Sequence, residues 1–293
     1  MRLSGWLTAT GGIRALLWRK GLLPLLVGLA GFLVGIHLFF PAAALRMRLL
    51  AEVQNRLPPG MTLTLQQLEL NFPLRLGLDG VTLQTGLDGM PSVAFEQVEL
   101  RPTWATLLGD PGLVIDAHGA DGRLAGVVSL SGSVVLQLID GRFELAFPPP
   151  SRLQVKGGGL AAVLAGRFPL GPQSTLRATL QLDQLLLRGG EGLGLATADL
   201  PLGHLQLEVE GTGRSLQVRT LTLAGGAVQV EGKGELLAQA SLAASRIDLA
   251  LQLRLADGGD PALRGLFDLL GTPQADGLYR FRLHGPLAKP ALN

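Results

Sequence analysis

From Met61 to the end of the chain, apolar residues recur with a period of two. The clearest run is Ile247-Asp248-Leu249-Ala250-Leu251-Gln252-Leu253-Arg254-Leu255, and Leu205 to Val209 and Tyr279 to Leu283 repeat it. Successive side chains of a strand point to opposite faces, so this alternation puts the leucines on one face and the charged and amide residues on the other. Gly and Asp-Gly pairs punctuate the runs, at Asp79-Gly80, Asp88-Gly89, Asp140-Gly141, Gly157 to Gly159, Gly189-Gly190, Gly225-Gly226 and Asp257 to Gly259. Such pairs supply the positive φ of hairpin turns. The fold class is therefore mostly β, an elongated antiparallel sheet spanning residues 61–293. A bend is expected at Phe147-Pro148-Pro149-Pro150, where prolines interrupt the strands.

A sheet face made almost wholly of Leu, Val and Ile must be covered. Either it folds over on itself as a sandwich, or it stays an open groove holding lipid or a partner. Leu180, Leu182, Leu205, Leu207, Val209, Leu249, Leu251 and Leu253 mark this face under both readings. A local pattern of two apolar residues at i and i+2 and two more at i+5 and i+7 recurs along it. It reads Leu63, Leu65, Leu68, Leu70; Leu76, Leu78, Val81, Leu83; Val93, Phe95, Val98, Leu100; Leu180, Leu182, Leu185, Leu187; and Leu216, Val218, Leu221, Leu223. Around Asp79-Gly80 the pattern predicts a two-residue hairpin. Around Gln66-Gln67 and Arg219-Thr220, poor turn formers, it predicts a β-bulge.

The N-terminus has a different character. Gly21 to Phe40 carries no charged side chain, with Arg14, Arg19 and Lys20 before it and Pro41, Arg46 and Arg48 after it. A helix of about 20 residues spans the roughly 30 Å hydrocarbon core of a bilayer. This implies a leader at 1–20, a single-pass transmembrane helix at 21–40 and a β domain carried across the membrane, with the N-terminus cytoplasmic. A cleaved signal peptide is the alternative, since Ala42-Ala43-Ala44 offers small residues beyond the run. Within the run, Gly28, Gly31 and Gly35 lie near one helix face and could let helix backbones approach, as a homo-oligomer or against another membrane protein. From 41 to 60 the pattern predicts a short amphipathic helix, Pro41 to Arg56, and a turn. A second short helix is expected over Ala262 to Leu270, with Asp260 as N-cap, Pro261 at its first position and Gly271 as stop. A third is expected over Pro102 to Leu108.

Composition narrows the function. Only 16% of residues are charged, against about 25% on average, and the net charge is +2 with no run of Lys and Arg. The phosphate-neutralising footprint of a nucleic-acid binder is missing. With no cysteine, thiol chemistry and Cys-ligated metal are excluded. Asp116-Ala117-His118 would share one strand face, but no third metal ligand is visible. Gly232-Lys233-Gly234 lacks the Ser or Thr and the glycine spacing of a phosphate loop and reads as a β-turn. Ser129, Ser131 and Ser133 alternate without a nucleophile elbow. No catalytic, cofactor or metal residue is expected, and no enzyme.

Taken with its segment Leu68 to Leu83 (LELNFPLRLGLDGVTL), the junction Phe40 to Arg46 and the ending Tyr279 to Leu292 (YRFRLHGPLAKPAL), the chain resembles the long form of the type II secretion system protein N (GspN) family. Gly226 to Leu236 (GAVQVEGKGEL) and Gly285 to Pro290 also resemble AsmA-type proteins, whose repetitive sheets form an open groove for lipid acyl chains. The first resemblance implies a non-enzymatic inner-membrane protein with a periplasmic β domain, serving as an accessory to the inner-membrane components of a secretion machine. The second implies a lipid-binding or lipid-transfer role, with phospholipid acyl chains as ligand.

Overall fold

The computed structural model describes residues 41–57, 61–71, 75–84, 92–103, 109, 111–147, 153–195, 197–239, 244–256 and 260–293, with Pro24, Gly28, Gly31, Phe32 and Gly35. Helix α1 (Ala42–Arg56) precedes strands β1 (Thr62–Thr64), β2 (Gln67–Asn71), β3 (Arg75–Gln84), β4 (Val93–Pro102), β5 (Gly112–Gly119), β6 (Gly122–Ser129) and β7 (Ser133–Ala146). Then come β8 (Gln154–Arg167), β9 (Thr175–Arg188), a 3-10 turn (Gly190–Leu193), β10 (Asp199–Thr212), β11 (Ser215–Gly225), β12 (Val228–Leu237) and β13 (Arg246–Leu255). Helix α2 (Pro261–Leu270), β14 (Tyr279–Pro286) and β15 (Ala291–Leu292) end the order.

All fifteen strands belong to one open antiparallel sheet that runs in sequence order from β1 and β2, which share one edge of β3, to β15. All described strands hydrogen-bond into this one open sheet, with no second, separately bonded sheet among the described residues. The stretch Pro148–Pro150 lies outside the described residues. The strands flanking it, β7 and β8, are direct neighbours, with Ala146 opposite Gln154.

The recurring 2-5-7 pattern has a different cause from the one its spacing suggests. Asp79-Gly80 is not a hairpin: β3 continues through it, with Asp79 opposite Gln97 and Val81 opposite Phe95 in one unbroken register. Gly80 sits at φ +63°, a left-handed conformation that turns the strand between Leu78 and Val81 and lets both join one cluster with Leu68, Val98 and Phe95. Gln66-Gln67 is likewise no bulge, because β1 and β2 meet β3 in the same register on either side of it. Arg219-Thr220 is a bulge, two residues between Val218 and Leu221 facing the single Lys233 of β12. Asp140 (φ 54°), Gly159 (φ 61°), Gln184 (φ 53°) and Gly203 (φ 86°) make similar mid-strand adjustments in β7 to β10, with register shifts beside them. The Asp140-Gly141 and Gly157 to Gly159 breaks therefore lie inside strands rather than between them.

Helix α1 seals the N-terminal sheet edge, where unpaired backbone groups would otherwise face solvent. The Gln54 side chain accepts from the Leu63 N–H (3.3 Å) and donates to the Met61 carbonyl (2.8 Å). Arg46 donates to the carbonyl of Gln66. Leu45, Leu49 and Leu50 pack on the cluster around Leu65 and Leu68. Helix α2 starts as its sequence predicts, the Asp260 carboxylate accepting from the Ala262 N–H at 2.9 Å. Of the helix expected over Pro102 to Leu108, Pro102 belongs to β4 and Trp104 to Leu108 lie outside the described residues.

The mid-strand turns are testable. A Cβ on Gly203 would overlap the Ala224 carbonyl oxygen and lie 2.7 Å from the Gly225 carbonyl carbon, whereas one on Gly192 meets nothing within 4 Å. Gly203→Ala is expected to lower unfolding stability by more than about 2 kcal/mol, combining a strained φ with backbone overlap. Gly192→Ala should stay within about 0.5 kcal/mol. Urea unfolding of the two variants checks this, and equal midpoints would refute the assignment.

Candidate functional site: the apolar face of the sheet

The register builds one continuous apolar row across thirteen strands. It runs from Leu68 and Leu78 through Leu124 and Leu138 to Leu180, Leu207, Leu251 and Phe281, each the direct cross-strand partner of a neighbour in the same row. At about 4.8 Å per strand, the twelve steps span about 58 Å. A second row, from Leu70 and Leu76 through Leu136, Leu164 and Val209 to Leu249 and Leu283, lies beside it. A third carries Leu182, Leu205, Leu223, Val230 and Leu253. All eight residues marked by the sequence therefore share this face.

Glycines interrupt the rows for a steric reason. Gly232 was expected in a turn, but it lies inside β12, and a Cβ there would come within 2.8 Å of both Leu221 and Leu251. Its absence gives those two leucines room on one level of the face. Gly126 opposes Ile115 and Leu136 in the same way, where a Cβ would come 2.8 Å from the Leu136 side chain.

This face is not a closed core. No large side chain among the described residues is fully enclosed, and Leu180, Leu207, Leu249, Leu251 and Leu253 are all half-buried. Buried clusters lie toward both ends and also between them, where Leu176, Val209, Leu216 and Val218 pack with Leu164, Leu207, Leu221 and Leu249. At one end α1 packs on the cluster of Leu65, Leu68, Leu78, Val98 and Ala117. At the other, Leu263, Leu266 and Phe267 of α2 pack against Leu187, Leu200, Leu202, Val228 and Leu253. Tyr279 ties α2 down: its hydroxyl donates to the Asp268 carboxylate at 2.6 Å, which raises the phenol pKa, and its ring lies 5.6 Å from that of Phe267. Between the two helices a cavity of ≈ 320 Å³ opens on β6 to β10, lined by Leu124, Leu138, Leu164, Leu180 and Leu207 with Thr179 as the single residue bearing a polar side chain. Residues of five neighbouring strands can line one cavity only if the sheet is concave there.

The opposite face is polar and laced with ion pairs. Arg177 (3.1 Å) and Arg219 (2.6 Å) flank Glu210, and Arg282 grips Asp248 through two contacts of 2.6 and 2.7 Å. The arginine hydrogen bonds hold both carboxyls below their ordinary pKa. Asp116 and His118 do share this face of β5, 3.6 Å apart, but the group completing the cluster is Arg123, a cation, at 3.1 Å from Asp116. No group of three potential metal ligands occurs among the described residues. Ser129 and Ser131 meet at 2.6 Å in the β6–β7 turn instead of alternating along a strand.

Gly28, Gly31 and Gly35 are helical, and a Cβ built on any of them meets nothing within 4 Å. Most of the 21–40 run lies outside the described residues, among which no helix is long and apolar enough to cross a membrane. Comparison of the chain with protein-family models, curated proteins and solved structures finds no match.

Two outcomes follow from this geometry. Leu207→Asp places a carboxylate where water can reach it and should leave the strand signal in circular dichroism intact, whereas Leu182→Asp, at a site only 3% exposed, should cost about 4 kcal/mol or more. Equal loss in both would mean that the face is closed. Acid should also weaken the fold through the outer ion pairs. Because Glu210 and Asp248 have folded pKa values below their unfolded ones, their contribution is full above about pH 5 and is lost as pH falls through the folded values. Glu210→Gln should flatten the stability curve in that window, and an unchanged acid limb would contradict the pairing.

Proposed function

We propose that this protein is a non-enzymatic, membrane-anchored component of a bacterial envelope whose open apolar face binds phospholipid acyl chains. One observation carries the reading: an apolar row crosses thirteen strands, and Leu180, Leu207 and Leu251 in its middle stay half-exposed. Exposed apolar area of this extent marks a binding surface, and the shape suits a long flexible ligand more than a compact one. The uncharged run 21–40 supports an anchor that holds the groove beside a bilayer, with the N-terminus cytoplasmic and the sheet in the periplasm. The resemblance to AsmA-type proteins points the same way.

A second reading is an accessory role in type II secretion, following the resemblance to protein N of that system. What favours it is the open glycine face of Gly28, Gly31 and Gly35, on which a Cβ would meet nothing, as a helix awaiting a membrane partner requires. The two readings are compatible in one molecule but differ in what each needs. Acyl-chain binding needs the groove, and assembly needs the glycines.

Native mass spectrometry of the detergent-extracted full chain separates them. The expected result is bound phospholipid on the wild type, lost on Leu180→Asp or Leu207→Asp and retained on the double variant Gly31→Leu, Gly35→Leu. A lipid-free protein that pulls down secretion subunits through the glycines would replace the first reading with the second.

A further inference from the structure

We propose that the polar face opposite the groove carries a second, independent site, for a phosphate ester bearing hydroxyl groups, of the size of a sugar phosphate. A cleft of ≈ 1000 Å³ opens on that face over β7 to β11, at the upper end of the volumes that small-molecule sites occupy. Two register rows build it. The outer row reads Ser133 opposite Arg167 on β7 and β8, then Thr175, Thr212 and Ser215 on β9 to β11, each opposite the next. Every member offers a hydroxyl or a guanidinium, on five strands spanning about 19 Å at the usual strand spacing. One step further in lie Val135, Ala165, Arg177 and Glu210, with Arg219 beyond them on β11.

The chemistry of the lining selects the ligand class. Three arginines stand against one carboxylate, and that carboxylate is occupied by Arg177 and Arg219, which it holds in place from either side. Each guanidinium has five N–H donors; Arg219 offers its Nε and Arg177 one Nη to Glu210, leaving their remaining donors for a guest. Arg167 has no carboxylate partner among the described residues, stands opposite Ser133 and lines the cleft together with Ser133 and Thr175. Planar guanidinium forks match phosphate oxygens bidentately, and the flanking hydroxyls can both donate to and accept from those of a sugar. Val135, 49% exposed, and Ala165 give the cleft an apolar floor, against which the C–H surface of a sugar ring can rest. The groove on the other face shares none of these side chains, so each site can fail without the other.

Isothermal titration of the full chain in detergent tests the site, with glucose 6-phosphate, glycerol 3-phosphate, glucose and inorganic phosphate as probes. Saturable binding of the sugar phosphate is expected, with glucose alone undetected and inorganic phosphate at least tenfold weaker. Arg167→Ala should weaken binding at least tenfold and Arg167→Lys less. Arg254→Ala, on the same face of β13 outside the cleft, and Leu207→Asp, in the groove, should leave it unchanged. Vesicles of phosphatidylglycerol against phosphatidylcholine then distinguish a headgroup source from a free ester: binding to the former that Arg167→Ala abolishes identifies a lipid headgroup, and binding of the free ester alone identifies a soluble one. No saturable binding of any phosphate ester, or binding that Arg167→Ala leaves intact, would overturn the proposal.

Discussion

A β-sheet buries a face only against something else, and here the described residues set only two short helices against a fifteen-stranded layer. Backbone hydrogen bonds between neighbouring strands are satisfied within the layer, so the sheet needs no second one to exist. The apolar side chains of that layer are another matter. Helix α1 covers one end, α2 the other, and between them Leu180, Leu207 and Leu251 stay half-exposed beside the buried cluster of Leu176, Val209, Leu216 and Val218. That surplus of uncovered apolar surface, more than any single residue, is what the proposed acyl-chain binding rests on.

Keeping one face apolar over so many strands requires correction along the way. Twisted strands of ten to fourteen residues drift in register and direction, and the structure resets them in mid-strand with single left-handed residues or a bulge. Gly80, Gly159 and Gly203 do this without a Cβ penalty, while Asp140 and Gln184 take the same conformation as non-glycine residues. The two edges are treated differently. Side chains of α1 hydrogen-bond to the β1–β2 edge, and β15 pairs with only two residues of β14, Leu283 and His284.

Much of this was legible in the sequence. The period of two located the strands and the face to which Leu180, Leu207 and Leu251 belong, and Asp260-Pro261 with Gly271 bounded α2 within a residue. Where reading failed, the reason is local. Asp79-Gly80 and Asp140-Gly141 have the composition of hairpin turns, yet positive φ serves a mid-strand twist equally well, and only cross-strand partners decide between the two. Gly232-Lys233-Gly234 looked like a turn because nothing in one strand shows that Leu221 and Leu251, on its neighbours, need the space. Whether the leucine face closes was undecidable from one chain's pattern, since a sandwich and an open layer share the same alternation. The polar cleft was missed because its rows join residues from five strands, Ser133 to Arg219, that are far apart in sequence.

The chain contains no cysteine, so a single one can be placed anywhere without background, and this makes the openness of the apolar face directly measurable. Nitroxide labels on Leu180→Cys, Leu207→Cys and Leu251→Cys, in the folded full chain, can be read by electron paramagnetic resonance against a spin-labelled stearate. The account predicts dipolar broadening at all three positions, displaced by unlabelled phospholipid, and none from a label on Gln206→Cys, which faces the other way. Labels immobilised at positions 180, 207 and 251 and untouched by the stearate would mean a closed core, and would contradict it.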